Sequence, residues 1–337
     1  MHGKRTIKVG IYGAGDHARN NHLLNLTRLE DVEVVAVCDI VEENARQAAA
    51  NFGIPRRYTD GHEMVKKESL DALWSTVVAA AREDGVEVAA AEKGIHLFIE
   101  KPQAMDMGVA YRIDDAIRHS GVFSTVCFRE RYRPIFQEAK RLLQDKKIVH
   151  IRFQMISDLP ARLPKGKVPR WDDALELRAP FFGWGPHALD YCRYMSGLDM
   201  IRAQAFFHHP AQYEAPVSSS FNFTVSNGAT MTMTFLSASP GQPAGEPYFL
   251  FYYEGGYLGV HNYSYIDMNG EQVFTAEDFN PWFEEDRIFV EAIRTGDGSG
   301  IMNDYHDGLY TLAPLLAGWE SARHDGEPVD VPAFMRR

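Results

Sequence analysis

The stretch IKVGIYGAGDHA, from Ile7 to Ala18, contains the pattern from which much of the architecture can be worked out. Its apolar first half has the composition of a buried strand, and the GxGxxA that follows stands where a strand turns into a helix. In such a turn Gly13 allows the tight bend and Gly15 lets the backbone approach a pyrophosphate, while the small Ala18 lets the helix pack on the strand. The pyrophosphate then lies at the amide groups of the helix N-terminus. The stretch therefore predicts a dinucleotide site in a Rossmann fold.

An acidic residue stands where the second strand of such a unit ends. Asp39 follows the apolar run 32–38 and lies 24 positions after Gly15. A carboxylate there can accept hydrogen bonds from both ribose hydroxyls and repels a 2′-phosphate. Because neither Ile40 nor Val41 carries a compensating charge, the sequence predicts NAD as the cofactor and disfavours NADP. The alternative is a helix-capping Asp39 beside a merely structural glycine turn. The cofactor residues predicted from these two motifs are Gly13, Ala14, Gly15, Asp16, His17 and Asp39.

The period of the apolar residues changes once along the chain. Up to about Cys127, strand-like runs alternate with helical patterns, which is typical of a parallel sheet with helices on both faces. After residue 147 apolar and polar residues alternate, and Asn227-Gly228 is a strong hairpin signal. This alternation predicts an antiparallel sheet with one wet face. We therefore expect an α/β protein with a Rossmann domain over residues 1–130 and a second α/β domain over residues 131–337, built on a large, open, mainly antiparallel sheet. The predicted strands are 7–12, 32–38, 72–78, 96–99 and 122–127, then 148–156, 201–208, 221–225, 229–235, 248–253 and 257–261.

Composition excludes several classes of protein. The chain has 337 residues, of which 45% are hydrophobic and 24% charged, as in ordinary globular proteins. A net charge of −11 repels phosphate backbones and anionic lipid, so neither nucleic acid nor a membrane is an expected partner. The three cysteines form no CxxC pair, so we expect no disulfide framework, no metal site and a reducing, cytoplasmic location. No run approaches the roughly 20 apolar residues of a membrane span, and no secretory leader is readable.

Glu100-Lys101-Pro102 ends the fourth predicted strand and, with the glycine turn and Asp39, resembles the Gfo/Idh/MocA family of glucose–fructose oxidoreductases and inositol dehydrogenases. The resemblance covers nearly the whole chain and includes the motifs FRERYRP at 128–134, GPH at 185–187 and WESAR at 319–323. It implies hydride transfer between NAD(P) and a small sugar or polyol such as a cyclitol. It also implies a homodimer or tetramer formed through the C-terminal sheet.

Two residues are predicted to be catalytic. The resemblance places Lys101 between nicotinamide and substrate, where its ammonium could hydrogen-bond the alcohol oxygen and favour alkoxide-like charge. His187 matches the family's histidine, and Pro186 indicates that it stands in the first turn of a helix. The helix dipole there disfavours imidazolium and leaves a general base. Asp190 and Tyr191, one turn further on, would orient the ring or line the pocket.

The chain departs from the family at the pocket. The family's aspartate four residues before the histidine is replaced by Gly183, and its Thr-Pro pair and following histidine fall on Val77, Val78 and Arg82. The arginines of the neighbouring segments suit a carboxylate or phosphate on the substrate but equally suit scaffold ion pairs. The tryptophans suit sugar stacking or core packing. The cofactor set is completed by Val77, Arg82, Glu100 and Lys101. The predicted substrate residues are Arg129, Arg131, Arg170, Trp171, Trp184, Asp190 and Tyr191.

Three functions remain open on the sequence. The first is an NAD-dependent oxidoreductase acting on a sugar, cyclitol or related polyol. The second is an NAD-dependent glycoside hydrolase of the same fold, which oxidises its substrate transiently and releases no NADH. The third is a non-catalytic sensor of dinucleotide and sugar, which the missing aspartate favours.

Overall fold

The protein is described by a computed structural model that covers residues 5–157, 180–210, 216–237 and 241–337. The chain divides into two compact units. Unit 1 comprises Met1–Tyr132 and Asn280–Leu309, and unit 2 comprises Arg133–Phe279 and Tyr310–Arg337. The linear division predicted at residue 130 did not include this return of the chain to unit 1.

The described residues form the following elements in chain order. The strands are β1 (Ile7–Tyr12), β2 (Val32–Cys38), β3 (Arg56–Tyr58), β4 (Ala72–Ser75), β5 (His96–Ile99), β6 (Ser124–Val126), β7 (Ile148–Ile156), β8 (Met200–His208), β9 (Ser218–Val225), β10 (Thr230–Leu236), β11 (Phe249–Tyr253), β12 (Gly256–His261), β13 (Tyr265–Met268), β14 (Glu271–Thr275) and β15 (Val329–Asp330). The α-helices are α1 (Leu24–Leu26), α2 (Glu42–Phe52), α3 (Gly61–Lys67), α4 (Val86–Glu92), α5 (Met107–Ser120), α6 (Pro134–Leu143), α7 (Pro180–Ser196), α8 (Pro281–Thr295), α9 (Tyr305–Arg323) and α10 (Val331–Met335).

Unit 1 is built on a six-stranded parallel sheet in the order β3-β2-β1-β4-β5-β6. Side chains of β1 and β4 such as Ile11 and Trp74 are completely buried, as expected for strands covered on both faces. Phe289 and Val290 of α8 pack into the same hydrophobic core. The parallel Rossmann sheet predicted from the sequence is confirmed, and α8 is one of its covering helices.

A π-helix follows the glycine turn. Residues Ala18–Leu23 have this wider helical geometry and continue directly into α1. Each backbone hydrogen bond of a π-helix spans one residue more than in an α-helix, which rotates the side chains that follow. Such turns are frequent at functional sites. Here the rotation accompanies the burial of His22, which has no exposed surface.

Unit 2 is built on a nine-stranded sheet in the order β14-β13-β12-β11-β7-β10-β9-β8-β15. β7 and β10 pair in parallel and the other neighbours are antiparallel, so the prediction of a mainly antiparallel sheet is confirmed. Met231 and Met233 of β10 are buried, whereas Thr230, the first residue of this strand, is exposed. The hairpin at Asn227-Gly228 is present, with Gly228 at φ +86°. In the parts of the chain described here, no helix combines the length and the apolar character needed to cross a bilayer.

Candidate active site

The glycine turn has the geometry that a dinucleotide needs. Gly13 has φ +97°, and a Cβ at this position would lie 2.7 Å from the backbone nitrogen of Val77. Glycine is therefore required at residue 13 for both conformational and steric reasons. A Cβ at Gly15 would meet no atom of the described part of the chain within 4 Å, so among these residues the space beside this glycine is open to a ligand. Ala18 is buried, as its predicted role in helix packing requires, and Ala14 of the predicted cofactor set is buried as well.

Asp39 lies beside this turn. Its Oδ2 accepts a hydrogen bond from the Ala14 amide at 2.7 Å, and its Oδ1 accepts one from the Val41 amide at 2.8 Å. The carboxylate thus faces the glycine turn, as a ribose-binding aspartate must, and it also binds the chain that enters α2. The ribose and capping interpretations of the sequence are both compatible with this geometry.

A cavity of about 230 Å³ lies where β2 and β3 end. Its lining includes Arg57, Tyr58 and Thr59 from β3 and the residue that follows it. The sequence predicted no strand at β3, because its residues are RRY and carry no apolar run. It therefore missed Arg57, a cationic side chain at the end of the strand next to the one that leads to Asp39.

Glu100 forms the centre of a hydrogen-bonded cluster at the end of β5. Its Oε1 lies 2.8 Å from His17 Nε2 and 3.1 Å from His22 Nε2, and its Oε2 accepts a hydrogen bond from the Lys101 amide at 3.1 Å. Burial alone would raise the pKa of Glu100, but the hydrogen bonds from the two imidazoles hold it well below its ordinary value. Glu100 is therefore an anion that orients the chain at Lys101.

His22 connects this cluster to α8. Its Nδ1 lies 2.9 Å from Asp286 Oδ1, and Asp286 also accepts hydrogen bonds from Asn25 Nδ2 and Trp74 Nε1, each at 2.9 Å. Burial opposes protonation of the imidazole, yet the carboxylates of Asp286 and Glu100 raise the pKa of His22 to about 10. His22 is thus an imidazolium between two carboxylates. The sequence did not point to His22 or Asp286, because they are 264 residues apart in the chain.

Among the described residues, His17, His22 and Glu100 are the group whose donor atoms could hold a metal ion, since these atoms lie within 4.8 Å of one another. The same atoms already form hydrogen bonds with each other. The arrangement is therefore accounted for without an ion.

Lys101 follows β5 and is partly buried. Burial lowers the pKa of its ammonium below the ordinary value, while the Glu100 carboxylate opposes that shift. A lysine with this property can lose its proton closer to neutral pH than a surface lysine can. Val77 is partly buried, and its backbone nitrogen lies beside Gly13, so it borders the glycine turn; its contact with the cofactor stays a prediction.

Three predicted contact residues are enclosed by protein. Arg82 is 1% exposed and donates hydrogen bonds to backbone carbonyls, so it offers no surface to a cofactor. Arg131 is 5% exposed and pairs with Asp307 Oδ2 at 2.5 Å, so of the two interpretations the structure shows the scaffold ion pair. Asp190 has no exposed surface and accepts a hydrogen bond from Thr311 Oγ1 at 3.3 Å. The expectation that these side chains contact ligands directly is corrected on this ground.

Arg129 and two aromatic residues complete the predicted set. The Arg129 guanidinium lies 3.9 Å from the ring centroid of Trp282, in a cation–π contact within unit 1. Trp184 is partly buried on α7, with its ring 5.5 Å from that of His187. Arg170 and Trp171 lie outside the described residues.

His187 lies on α7 in unit 2 and is 4% exposed. Its Nδ1 is 2.9 Å from the Tyr191 hydroxyl, so Tyr191 orients the ring, one of its two predicted roles. Tyr191 is itself 1% exposed and does not line a surface. His187 is the eighth residue of α7, so the prediction of a first-turn position is wrong, and the helix-dipole argument for a neutral ring falls with it. Pro186 lies inside the helix, whereas the sequence suggested that a proline here opens one.

These features define a class of protein, the two-unit oxidoreductases with a Rossmann dinucleotide cradle and an open-sheet partner domain. Residues 7–128 match the family model for the oxidoreductase family with an NAD-binding Rossmann fold, and residues 136–265 match that for the GFO/IDH/MocA C-terminal domain. The chain belongs to the Gfo/Idh/MocA family. The predicted family is confirmed, and so is the prediction of a site for NAD.

Relatives and solved structures agree with this assignment. D-apiose dehydrogenase of Paraburkholderia graminis is 32% identical over 141 residues, which cover 42% of this chain and 37% of that protein. Inositol 2-dehydrogenase of Salmonella typhimurium is 31% identical over 163 residues, 46% of this chain and 48% of that protein. The matches thus span less than half the length of these relatives.

Two solved structures show the same fold over nearly the whole chain. The scyllo-inositol dehydrogenase of Lactobacillus casei with NAD(H) and scyllo-inositol has a TM-score of 0.76 at 19% identity, covering 97% of this chain and 100% of that one. An Agrobacterium radiobacter oxidoreductase in complex with NAD⁺, L-tartaric acid and magnesium has a TM-score of 0.80 at 18% identity, covering 97% and 99%.

Proposed function

We propose that this protein is an NAD-dependent oxidoreductase that transfers hydride between nicotinamide and a hydroxyl-bearing carbon of a sugar, cyclitol or related polyol. The observation that carries the proposal is Lys101, a partly buried lysine of lowered pKa at the carboxyl end of β5. Ligands of open parallel sheets bind at this edge, where the glycine turn also lies. The names of the relatives, dehydrogenases of apiose and inositol, support a polyol substrate.

The residues of the turn fit NAD. The open space beside Gly15 accepts a pyrophosphate, and Asp39 beside Ala14 suits ribose hydroxyls. NAD, when bound, supplies the acceptor for the hydride. The negative charge of Asp39 favours NAD over NADP, since it repels a 2′-phosphate.

The protein's own residues handle the proton. In the direction of oxidation, neutral Lys101 accepts the hydroxyl proton through Nζ as the hydride leaves carbon. The anionic Glu100 stabilises the ammonium that results. His187, whose Nδ1 lies 2.9 Å from the Tyr191 hydroxyl, takes part in the proton exchange in this proposal. In the direction of reduction the same groups return the proton to the oxygen.

A panel of polyols assayed with NAD at 340 nm tests the proposal. We expect NADH formation with at least one polyol, and turnover lower by about 10² to 10⁴ in Lys101→Ala and in His187→Ala. Lys66→Ala, a change at an exposed lysine of the same unit, is the matched control and should retain full turnover. NAD affinity should change little in all three variants, because the glycine turn is untouched.

Other outcomes would assign a different function. Cleavage of aryl glycosides without net NADH would indicate the glycoside hydrolase. A non-catalytic sensor is consistent with Gly183, which stands where the family has its aspartate. Binding of NAD and polyol with no turnover in either assay would establish that alternative.

A further inference from the structure

A buried arginine underlies the turn that carries Lys101. Arg82 lies in the short 3₁₀-helix Ala79–Asp84, and its side chain has no exposed surface. Its Nη1 donates to the Pro102 carbonyl at 2.9 Å, and its Nη2 donates to the carbonyls of Glu100 at 2.9 Å and Ser75 at 3.3 Å. The guanidinium therefore joins the carboxyl ends of β4 and β5 to the turn after β5.

The charge of this arginine is balanced inside the protein. Glu87 of α4, also without exposed surface, has its Oε1 3.4 Å from Arg82 Nε. Ser75 Oγ donates to the same Glu87 oxygen. A buried ion pair stabilises a fold only when its geometry is good and further hydrogen bonds satisfy its polar atoms. The carbonyl contacts and the serine supply part of those hydrogen bonds, whereas Arg82 Nε and Glu87 Oε2 are buried without a hydrogen-bond partner. The pair is thus not fully satisfied, and its clearest contribution is to hold the backbone at these carbonyls.

Two of the three carbonyls bound by Arg82, those of Glu100 and Pro102, flank one residue. Glu100 and Pro102 are the neighbours of Lys101 on either side. A planar guanidinium presents five N–H donors in a fixed fork, whereas a lysine ammonium is a compact charge on a flexible stem and holds its acceptors in a less defined geometry. In addition, the Glu100 carboxylate accepts a hydrogen bond from the Lys101 amide at 3.1 Å. The backbone of Lys101 is thus held from both sides while its side chain stays partly accessible.

We propose that Arg82 is a positioning residue for Lys101: by binding the carbonyls of Glu100 and Pro102, it fixes the backbone that aims the Lys101 ammonium at the reacting oxygen. The inference rests on the proposed function. It also changes the interpretation of residue 82, which the resemblance aligned with a histidine bordering the nicotinamide. In this chain the residue acts from inside the protein, through Lys101, and does not touch the cofactor.

Kinetics of Arg82→Lys separate positioning from general stability. We expect kcat to fall about 10²-fold, as misplacement of a reacting group by an ångström can cause, with KM and the dissociation constant of NAD nearly unchanged. The decisive arm is the double variant with Lys101→Ala. Once Lys101 is absent its position no longer matters, so Arg82→Lys should then lower kcat no further. If the two losses multiply, Arg82 does not act through Lys101 and the proposal is overturned.

A second measurement needs no turnover and so stands if the proposed function fails. The pH dependence of Lys101 acetylation by acetic anhydride, read by mass spectrometry, gives the pH midpoint at which this lysine deprotonates. In Arg82→Lys the midpoint should move up towards that of a free lysine, because the turn loosens and Lys101 gains water. Lys66 on α3 should show the same midpoint in both proteins. An unchanged Lys101 midpoint would contradict the inference.

A double substitution that removes both buried charges provides a test even if Arg82→Lys does not fold. Arg82→Gln with Glu87→Gln keeps most of the volume and removes both buried charges, so no unpaired ion remains. It should fold, with the same loss of kcat and the same shift of the Lys101 midpoint. Full activity in this folded variant would show that the carbonyl contacts of Arg82 are dispensable, and the proposal would be wrong.

Discussion

Single residues set what the site can do, and Gly183 is the clearest case. It is exposed on α7, and a Cβ there would meet no atom of the described residues within 4 Å. It stands four residues before His187, so a side chain at 183 falls on the same helix face. Among the described residues, no atom obstructs the first carbon of an aspartate side chain at this position.

Gly183→Asp should therefore raise kcat, by about tenfold or more, since a positioned acid or base contributes at least that much. Thermal stability should hold or rise slightly, because aspartate is a somewhat better helix residue than glycine. Gly183→Asn is the matched control that lacks the ionisable group. Equal activity in the two variants would show that a carboxylate at this place has no part in proton transfer.

Asp39 determines the choice of dinucleotide in the proposed function. In Asp39→Asn the charge is lost and one of the two backbone amides that bond the carboxylate loses its acceptor, so NAD should bind about tenfold more weakly and the preference over NADP should shrink. Titrations with both dinucleotides, followed by calorimetry, measure the ratio. Arg57 is a cation that lines the neighbouring cavity. Arg57→Ala is therefore made in the Asp39→Asn protein, to show whether this side chain also affects the ratio of NAD to NADP affinity. An unchanged ratio in Asp39→Asn would remove the ribose role.

At the scale of elements, α8 gives unit 1 two buried acidic residues. Burial raises the pKa of Glu285 to about 8, and the carboxylates of Asp286 and Glu100 add to that effect. Between the ordinary value of 4.5 and about 8, the folded protein holds a proton that the unfolded chain has released. Stability must therefore fall as pH rises through this range. His22, with a pKa of about 10, acts in the same direction above its ordinary 6.5.

Glu285→Gln tests this linkage, because glutamine mimics the protonated acid. The urea midpoint of the wild-type protein should drop between about pH 6 and about pH 8, and the drop should be smaller in the variant. His22 is unchanged, so some decline should remain. Glu291→Gln removes an exposed carboxylate from the same helix and should leave the wild-type profile, since surface ion pairs contribute little. Parallel profiles for wild type and Glu285→Gln would contradict a raised Glu285 pKa.

Strands that consist of apolar runs could be predicted from the sequence, whereas a strand of polar residues could not. β1, β2 and β5 have the predicted bounds, because each is an apolar run in a sheet covered on both faces. β4 ends at Ser75, three residues before the predicted end, where Thr76 turns to bond the carbonyl of Gly13. β3 consists of polar residues at the sheet edge and has no signal in its sequence.

The residues of the site also fall into two groups, those that local motifs identify and those that only the fold brings together. The glycine turn and Lys101 are local motifs, so spacing and resemblance found them. His22, Asp286 and the carbonyl contacts of Arg82 depend on which distant segments meet in unit 1, and no short pattern records that. The sequence identifies His187, but it predicts the wrong place within α7, because Pro186 lies inside the helix and does not start it.

At the scale of the whole molecule, the polar face of the unit 2 sheet raises the question of assembly. A row of side chains crosses neighbouring strands there, with His150 Nδ1 2.9 Å from Thr230 Oγ1 and the His150 and Tyr252 rings 6.0 Å apart. Tyr252 is 37% exposed on β11, and its ring lies 6.3 Å from that of Tyr257. Aromatic side chains on an otherwise wet face are typical of surfaces that associate.

We therefore propose that this face forms a homodimer or tetramer. Sedimentation velocity at micromolar concentration should show an oligomer for the wild-type protein and a smaller species for Tyr252→Asp, whose charge would be buried in the contact. Glu271→Asp, an exposed and conservative change on β14, should leave the wild-type distribution. A wild-type protein that sediments as a monomer would remove the proposal.

The return of α8 also constrains how the chain is made. When translation has reached residue 132, the chain contains the sequence of all six strands of the unit 1 sheet, but the Asp286 carboxylate that bonds His22, Asn25 and Trp74 has not yet been made. Maturation of the first unit must then wait until translation passes residue 309, after most of the second has emerged. The nascent Rossmann segment would spend that interval with unpaired polar groups and an uncovered apolar face, the stage at which chaperones act on larger proteins.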